Sequence, residues 1–249
     1  MFERTPTGLS LAAAGRALVD PARQVLRDFS VARESVRDVL GLAGGHLDIG
    51  AVPAVGVGWL MDHVVTFRRA YPEVGLRIHP ETDDDSIAAQ VRSGRYNLGL
   101  TVSFPGTSGL TATQVGAQCL NALLPPGFPG SGRPIGIEEL AAMDLVTMHR
   151  DRSTSRRWLE AELSQRGMAP RVRIELGVTD GIVPLVAAGV GYALWWTPMT
   201  DTNLGDCVLR PLVPGWQRPI FISHRTGVLS PATEALLKIV RSAGLPSSI

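Results

Sequence analysis

The sequence has almost no lysine, almost no cysteine and no surplus of charge of either sign. Its 24 basic and 23 acidic side chains leave a formal charge of +1. No net field therefore draws the whole chain toward nucleic acid or an anionic membrane, and any such contact needs a local patch or a part outside this chain. Lys238 is the one lysine and the other 23 cations are arginines, a compositional habit rather than a phosphate-recognition signal. Two cysteines, Cys119 and Cys207, exclude a disulfide framework and match no zinc spacing. A reducing, cytoplasmic compartment is the expectation, and Met1-Phe2-Glu3-Arg4 has no apolar stretch that reads as a signal peptide. Gly181 to Met199 carries no charge. Pro184, Gly189 and Gly191 interrupt it and Asp180 and Asp201 flank it, so it reads as a buried helix, a glycine turn and a buried strand rather than a membrane span.

Catalytic signatures are also missing. There is no HExxH, no G-x-S-x-G and no P-loop, and the five histidines are scattered. Gly189-Val190-Gly191 lacks the third glycine of a dinucleotide fingerprint, since Leu194 stands there. No enzyme activity, cofactor, metal or catalytic residue is predicted. Asp83-Asp84-Asp85 stands directly before a short helix, where carboxylates cap free N–H groups and suit the dipole; this is preferred to a hard-metal site. Small buried apolar groups are the reading of the two thiols, with a redox bridge across a hinge as the second.

What is present is the patterning of a folded chain: 249 residues, 45% hydrophobic and 19% charged, with 27 glycines and 18 prolines. From Leu18 the apolar positions Leu18, Ala22, Val25, Phe29, Ala32, Val36 and Val39 recur in steps of four and three, an a/d seam. Arg16, Asp20, Arg23, Arg27, Asp28, Arg33, Glu34, Arg37 and Asp38 keep the other face wet. The helix thus needs a partner, and pairing between chains is preferred to lying on its own domain. Pro21 is a potential kink, and Gly41, Gly44 and Gly45 are its stop.

After those glycines short strands alternate with helices, which predicts βαβ units and a mostly parallel sheet. Leu47–Val52 reads as a strand, and Leu60, Val64, Phe67 and Tyr71 as one face of a helix stopped by Pro72. Leu76 and Ile78 mark a second strand, Ile87 and Val91 a short helix ending at Gly94, and Leu98–Val102 a third strand. Pro125 to Gly130 is a loop. A second series follows: strand Leu145–Met148, helix Ser155–Arg166, strand Val172–Leu176, helix Ile182–Ala188 and strand Tyr192–Trp196. Val208–Leu212 and Ile220–Ser223 add strands, and Ser230-Pro231 opens a last helix with Leu236, Leu237 and Val240 inward.

Specific strings go further. Phe2-Glu3-Arg4-Thr5-Pro6-Thr7-Gly8-Leu9-Ser10-Leu11, with Ala14-Gly15-Arg16-Ala17-Leu18, resembles the wing and linker-helix start of LysR-type transcriptional regulators. Gly45-His46-Leu47-Asp48-Ile49-Gly50 resembles the start of that family's sensor domain, Phe67-Arg68-Arg69-Ala70-Tyr71-Pro72 its first sensor helix, and Leu185-Val186-Ala187-Ala188-Gly189-Val190-Gly191-Tyr192-Ala193-Leu194 its late helix-turn-strand. Their order and spacing cover essentially the whole chain.

The resemblance implies an α/β fold, a two-lobed periplasmic-binding-protein-like (type 2) sensor domain preceded by a long dimerisation helix. Residues 1–11 would be a remnant of the winged helix-turn-helix and 12–43 the linker helix, with the seam residues above as the dimer contacts. Residues 45–118 with 218–249 would form the first lobe and 119–217 the second. The implied function is control of transcription by a small molecule, a carboxylate among the candidates, held in the cleft between the lobes of a dimer or tetramer. The family's DNA-reading helices precede the wing, whereas Met1 already stands in the wing. This chain alone is therefore expected to bind promoter DNA poorly, and a late start and a real truncation both remain open. The rival readings are a solute-binding or enzymatic relative of the same fold, or a partner that heterodimerises with intact regulators.

Ligands of open α/β sheets sit where loops leave the C-terminal ends of parallel strands. That rule and the resemblance together select Pro53, Ala54 and Val55, then Thr101, Val102 and Ser103, then Ser153, Thr154 and Ser155, and finally Thr179 and Asp180. Hydroxyls and free N–H groups at the helix start after Ser153 suit an anion, with plain capping as the competing role. Val55 stands where the family often has a hydroxyl residue, which implies a less polar effector.

Overall fold

A computed structural model describes residues 1–5, 8–39, 45–56, 59–81, 83–106, 108–130, 132–197 and 203–242. The chain divides into two compact units, Met1–Gly116 with Pro219–Ile249, and Ala117–Arg218. It begins with a hairpin, β1 (Phe2–Thr5) and β2 (Gly8–Leu11), paired Phe2 to Leu11 and Arg4 to Leu9. The long helix α1 (Ala13–Val39) follows and runs through Pro21 without interruption. Leu18, Val25 and Phe29 of the predicted seam are exposed on it, Ala22 is half-buried and Ala32 exposed. The side chains of Val36 and Val39 and the glycines Gly41 and Gly44 lie outside the described residues.

The rest of the first unit is β3 (Gly45–Ala51), α2 (Pro53–Gly56), α3 (Trp59–Ala70), β4 (Val74–Pro80), α4 (Asp84–Arg92), β5 (Leu98–Thr101) and the start of β6 (Leu110–Leu124). The strands are parallel in the order β4-β3-β5, with Leu47 opposite Leu76 and Ile49 opposite both Ile78 and Leu98. Leu60 and Phe67, spaced to share one helical face, are fully buried against Leu47, Ile49, Leu98 and Leu100. Ile87 and Val91 of α4 form a separate core with Tyr96 and Leu110. The predicted β-α-β-α-β unit is therefore present, with strand ends one residue shorter than the apolar runs suggested.

In the second unit, β6 continues and is followed by β7 (Ile135–Gly136), α5 (Ile137–Ala141), β8 (Asp144–Met148), α6 (Thr154–Ser164), β9 (Arg171–Leu176), α7 (Ile182–Ala187), β10 (Ala193–Thr197) and β11 (Val208–Val213). The last elements, β12 (Gln217–Arg225) and α8 (Pro231–Ser242), return to the first unit. There β12 runs antiparallel to β5, with Ile222 opposite Leu100, and α8 buries Leu236, Leu237 and Val240 in the core that holds Phe67.

The expectation of a mostly parallel sheet needs correction. β6 pairs antiparallel with both β10 and β11, while β8–β9 and β7–β11 are parallel. The long β6 and the short α5 were not anticipated. The stretch Thr111-Ala112-Thr113-Gln114 has no apolar run to announce a strand, and its residues are paired by partners far away in sequence. Among the described residues no helix is long and apolar enough to cross a membrane. The Gly189-Val190-Gly191 turn serves a packing need: Gly189 has φ +78°, and a Cβ on Gly191 would lie 2.1 Å from the Asp144 carbonyl oxygen.

Candidate functional site

In the first unit the chain leaves β3 to build β4 on one side of it and then β5 on the other. The reversal of strand order between β3 and β5 is the position where open parallel sheets bind ligands, at the C-terminal ends of the two strands. Val52 N–H donates to Leu100 O at 3.4 Å, which ties the two exits together. The predicted residues there divide into two groups. Val55 is fully buried in the core and its N–H bonds the Val52 carbonyl at 3.0 Å, so its side chain is spent on packing. Pro53, the first residue of α2, is exposed; the Ala54 side chain lies outside the described residues.

The loop after β5 has its polar groups engaged. Thr101 is fully buried and its hydroxyl donates to Ser103 O at 2.8 Å. Val102 N–H and Ser103 N–H donate to the two carboxylate oxygens of Asp84 at 3.2 and 2.9 Å, and Ser103 Oγ is a third donor to the same carboxylate. The three neighbouring acids thus have different partners. Asp83 is the N-cap of α4, accepting from Ser86 N–H at 2.7 Å, as the sequence reading supposed. Asp84 instead reaches across to the β5 loop. Glu81, just after β4, accepts from Ser86 Oγ at 3.0 Å and from the Tyr96 hydroxyl. Burial first, then the hydrogen bond to Glu81, push the Tyr96 pKa up to about 12.

In the second unit β8 and β9 lie side by side and parallel, with Met148 opposite Leu176. Their exits emerge at the same end, so the loop holding Ser153 to Ser155 and the one holding Thr179 and Asp180 are neighbours; Arg152 Nη1 donates to Gly177 O at 3.2 Å between them. Ser153 is the N-cap of α6: its buried Oγ accepts from Arg156 N–H at 3.1 Å and lies 3.1 Å from Ser155 Oγ. Thr154, Thr179 and Asp180 are exposed and Ser155 is half-buried.

Sequence reasoning missed an ionic cluster beneath this loop. The nearly buried Arg156 guanidinium donates to Glu160 at 2.8 Å and to Glu175 at 2.7 Å, Arg150 donates to Glu160 at 2.6 Å, and His149 Nδ1 lies 3.3 Å from Glu175. Burial alone would lower the Arg156 pKa, but its two carboxylate partners hold it above the usual value. Burial likewise opposes ionisation of Glu160, and hydrogen bonds from Arg150 and Arg156 override it and lower the pKa. Hydrogen bonds from Arg156 and His149 lower that of Glu175. Only the Arg156–Glu160 pair, four apart on one helix, carried a signal in the sequence. Among the described residues no group of three metal-ligating side chains converges.

A family model, the LysR substrate binding domain, matches residues 40–244. The chain belongs to this family. It is 28% identical over 194 residues to the HTH-type transcriptional regulator YofA of Bacillus subtilis, a match covering 78% of this chain and 65% of that protein. This LysR-family chain thus spans about two thirds of that relative. Among solved structures, HinK, a LysR family regulator from Pseudomonas aeruginosa, superposes with a TM-score of 0.67 at 22% identity, covering 94% of this chain and 81% of that one. The BenM effector binding domain with its effector benzoate does so with a TM-score of 0.65 at 18% identity, covering 80% and 91%. At these identities the structural likeness establishes the LysR sensor fold, a two-lobed α/β architecture.

Proposed function

We propose that this chain is the sensing and self-associating part of a cytoplasmic LysR-type transcriptional regulator with no catalytic role. A small-molecule effector is recognised at strand ends of the kind described above, and its binding controls transcription from promoter DNA. The observation that carries this reading is the family match along 40–244 on a chain whose first unit places polar side chains, Glu81 and Ser103, at the ends of β4 and β5. The benzoate held by the BenM domain supports a small organic effector. The exposed seam of α1, Leu18, Val25 and Phe29, supports assembly with a second copy.

The test is a thermal-shift screen of small organic molecules against the purified chain, followed by affinity measurements on Thr101→Val and Ser153→Ala. An effector that stabilises the chain and loses affinity in at least one variant supports the assignment. A bound effector indifferent to both substitutions rejects the site while leaving the family untouched.

A further inference from the structure

We propose that Asp84 is a built-in carboxylate that fills the anion-binding donors of the β5 loop, so that acidic ligands are excluded from this part of the effector site. The proposal deepens the reading of the site given above and rests on it for its biological meaning. Three donors, Val102 N–H, Ser103 N–H and Ser103 Oγ, converge on this one carboxylate. Successive backbone N–H groups with an adjacent hydroxyl are the arrangement by which proteins hold a free carboxylate or phosphate. The fourth polar group of the loop, the Thr101 hydroxyl, is committed to Ser103 O. An incoming acid therefore finds no free donor among these groups, and meets instead the negative charge of Asp84 itself.

The placement sharpens the exclusion. Asp84 is the first helical residue of α4, at the end of the helix whose free N–H groups suit an acceptor, and Glu81 and Asp83 are fixed beside it by their bonds to Ser86. From Glu81 to Val91 the sequence contains no lysine, arginine or histidine. A ligand's acidic group is thus received elsewhere, and what meets the β5 loop is uncharged or a donor. Asp84 acts here as a specificity residue, by occupying the loop.

Chemical rescue tests this without knowing the effector. In Asp84→Ala the three donors lose their acceptor and a space the size of a small carboxylate opens. The melting temperature should fall, and sodium formate should restore roughly 3 °C of it in a saturable manner, beyond sodium chloride of equal ionic strength. The wild-type chain should show no formate-specific gain. Should Asp84→Ala not fold, Asp84→Ser keeps a good residue for the helix start and is expected to respond in the same way. A folded variant with no formate-specific stabilisation, or a wild-type chain stabilised equally, would overturn the proposal. Because the readout needs no effector, a failed ligand screen and a failed rescue are separate results: the first counts against the sensor reading, the second against the role of Asp84.

Discussion

Gly191 lies so close to Asp144 that a Cβ at position 191 would stand 2.1 Å from the Asp144 carbonyl oxygen. The approach is enforced by the next residue. Tyr192 N–H donates to that same carbonyl at 2.9 Å, and Val146 N–H donates to Tyr192 O at 2.8 Å. The clash is with backbone, which no side-chain rotation relieves. Gly191→Ala should therefore destabilise the chain by about 3 kcal/mol or more, read as a lowered denaturation midpoint. An unchanged midpoint would contradict the packing described here.

Ser153 is a helix cap before it is anything else. Losing its hydroxyl in Ser153→Ala should cost about 1 kcal/mol of stability, whereas Ser153→Asp retains an acceptor for Arg156 N–H and should lie near the wild type. Thermal unfolding of the two variants without any ligand separates this cost from an effect on effector binding.

The Arg156 cluster makes stability depend on acid. Glu160 and Glu175 both have folded-state pKa values below the ordinary one. Their contribution is thus fully present above the unfolded glutamate value of about 4.3 and is lost as pH falls through the lower folded value. Melting temperature should drop more steeply below about pH 4.3 in the wild type than in Arg156→Met, which lacks the guanidinium that depresses both groups. At neutral pH the variant should be clearly less stable, since two carboxylates lose their common partner.

Self-association through α1 has a direct probe. Phe29 is 67% exposed on the isolated chain, so Phe29→Asp should leave the fold intact. Placing a charge in an apolar interface should weaken association by about 2 kcal/mol, more than tenfold in Kd. Sedimentation analysis of both proteins would show it; identical behaviour would remove Phe29 from the interface.

Oxidation should not join the two cysteines within one chain. Val208 pairs with Leu124, so Cys207 falls opposite position 125, and from there to Cys119 the chain runs along β6 for roughly 20 Å at about 3.3 Å per residue. A disulfide requires Cα atoms within about 7 Å. Mass spectrometry after mild oxidation should find no Cys119–Cys207 link; finding one would contradict this strand register.

Features that depend on local periodicity were legible in the amino-acid order alone. Leu60 with Phe67, Ile87 with Val91, and Leu236 with Leu237 and Val240 each reported the buried face of a helix and are buried, because a helix shows one face to a core whatever the fold; of the predicted face of α3, Val64 is half-buried and Tyr71, beyond the helix end, is exposed. Alternation and glycine punctuation located most strands to within a residue or two, and ordered motifs named the family. What depends on partners distant in sequence was settled by long-range packing. It made the polar-looking start of β6 a strand, turned Val55 into the core and left Pro53 exposed. It also divided three adjacent acids into a helix cap, Asp83, a loop clamp, Asp84, and an exposed side chain, Asp85. No pattern within Asp83-Asp84-Asp85 distinguishes these roles, since the donors that Asp84 holds lie 18 and 19 residues away and are brought to it by the crossover of α4 into β5.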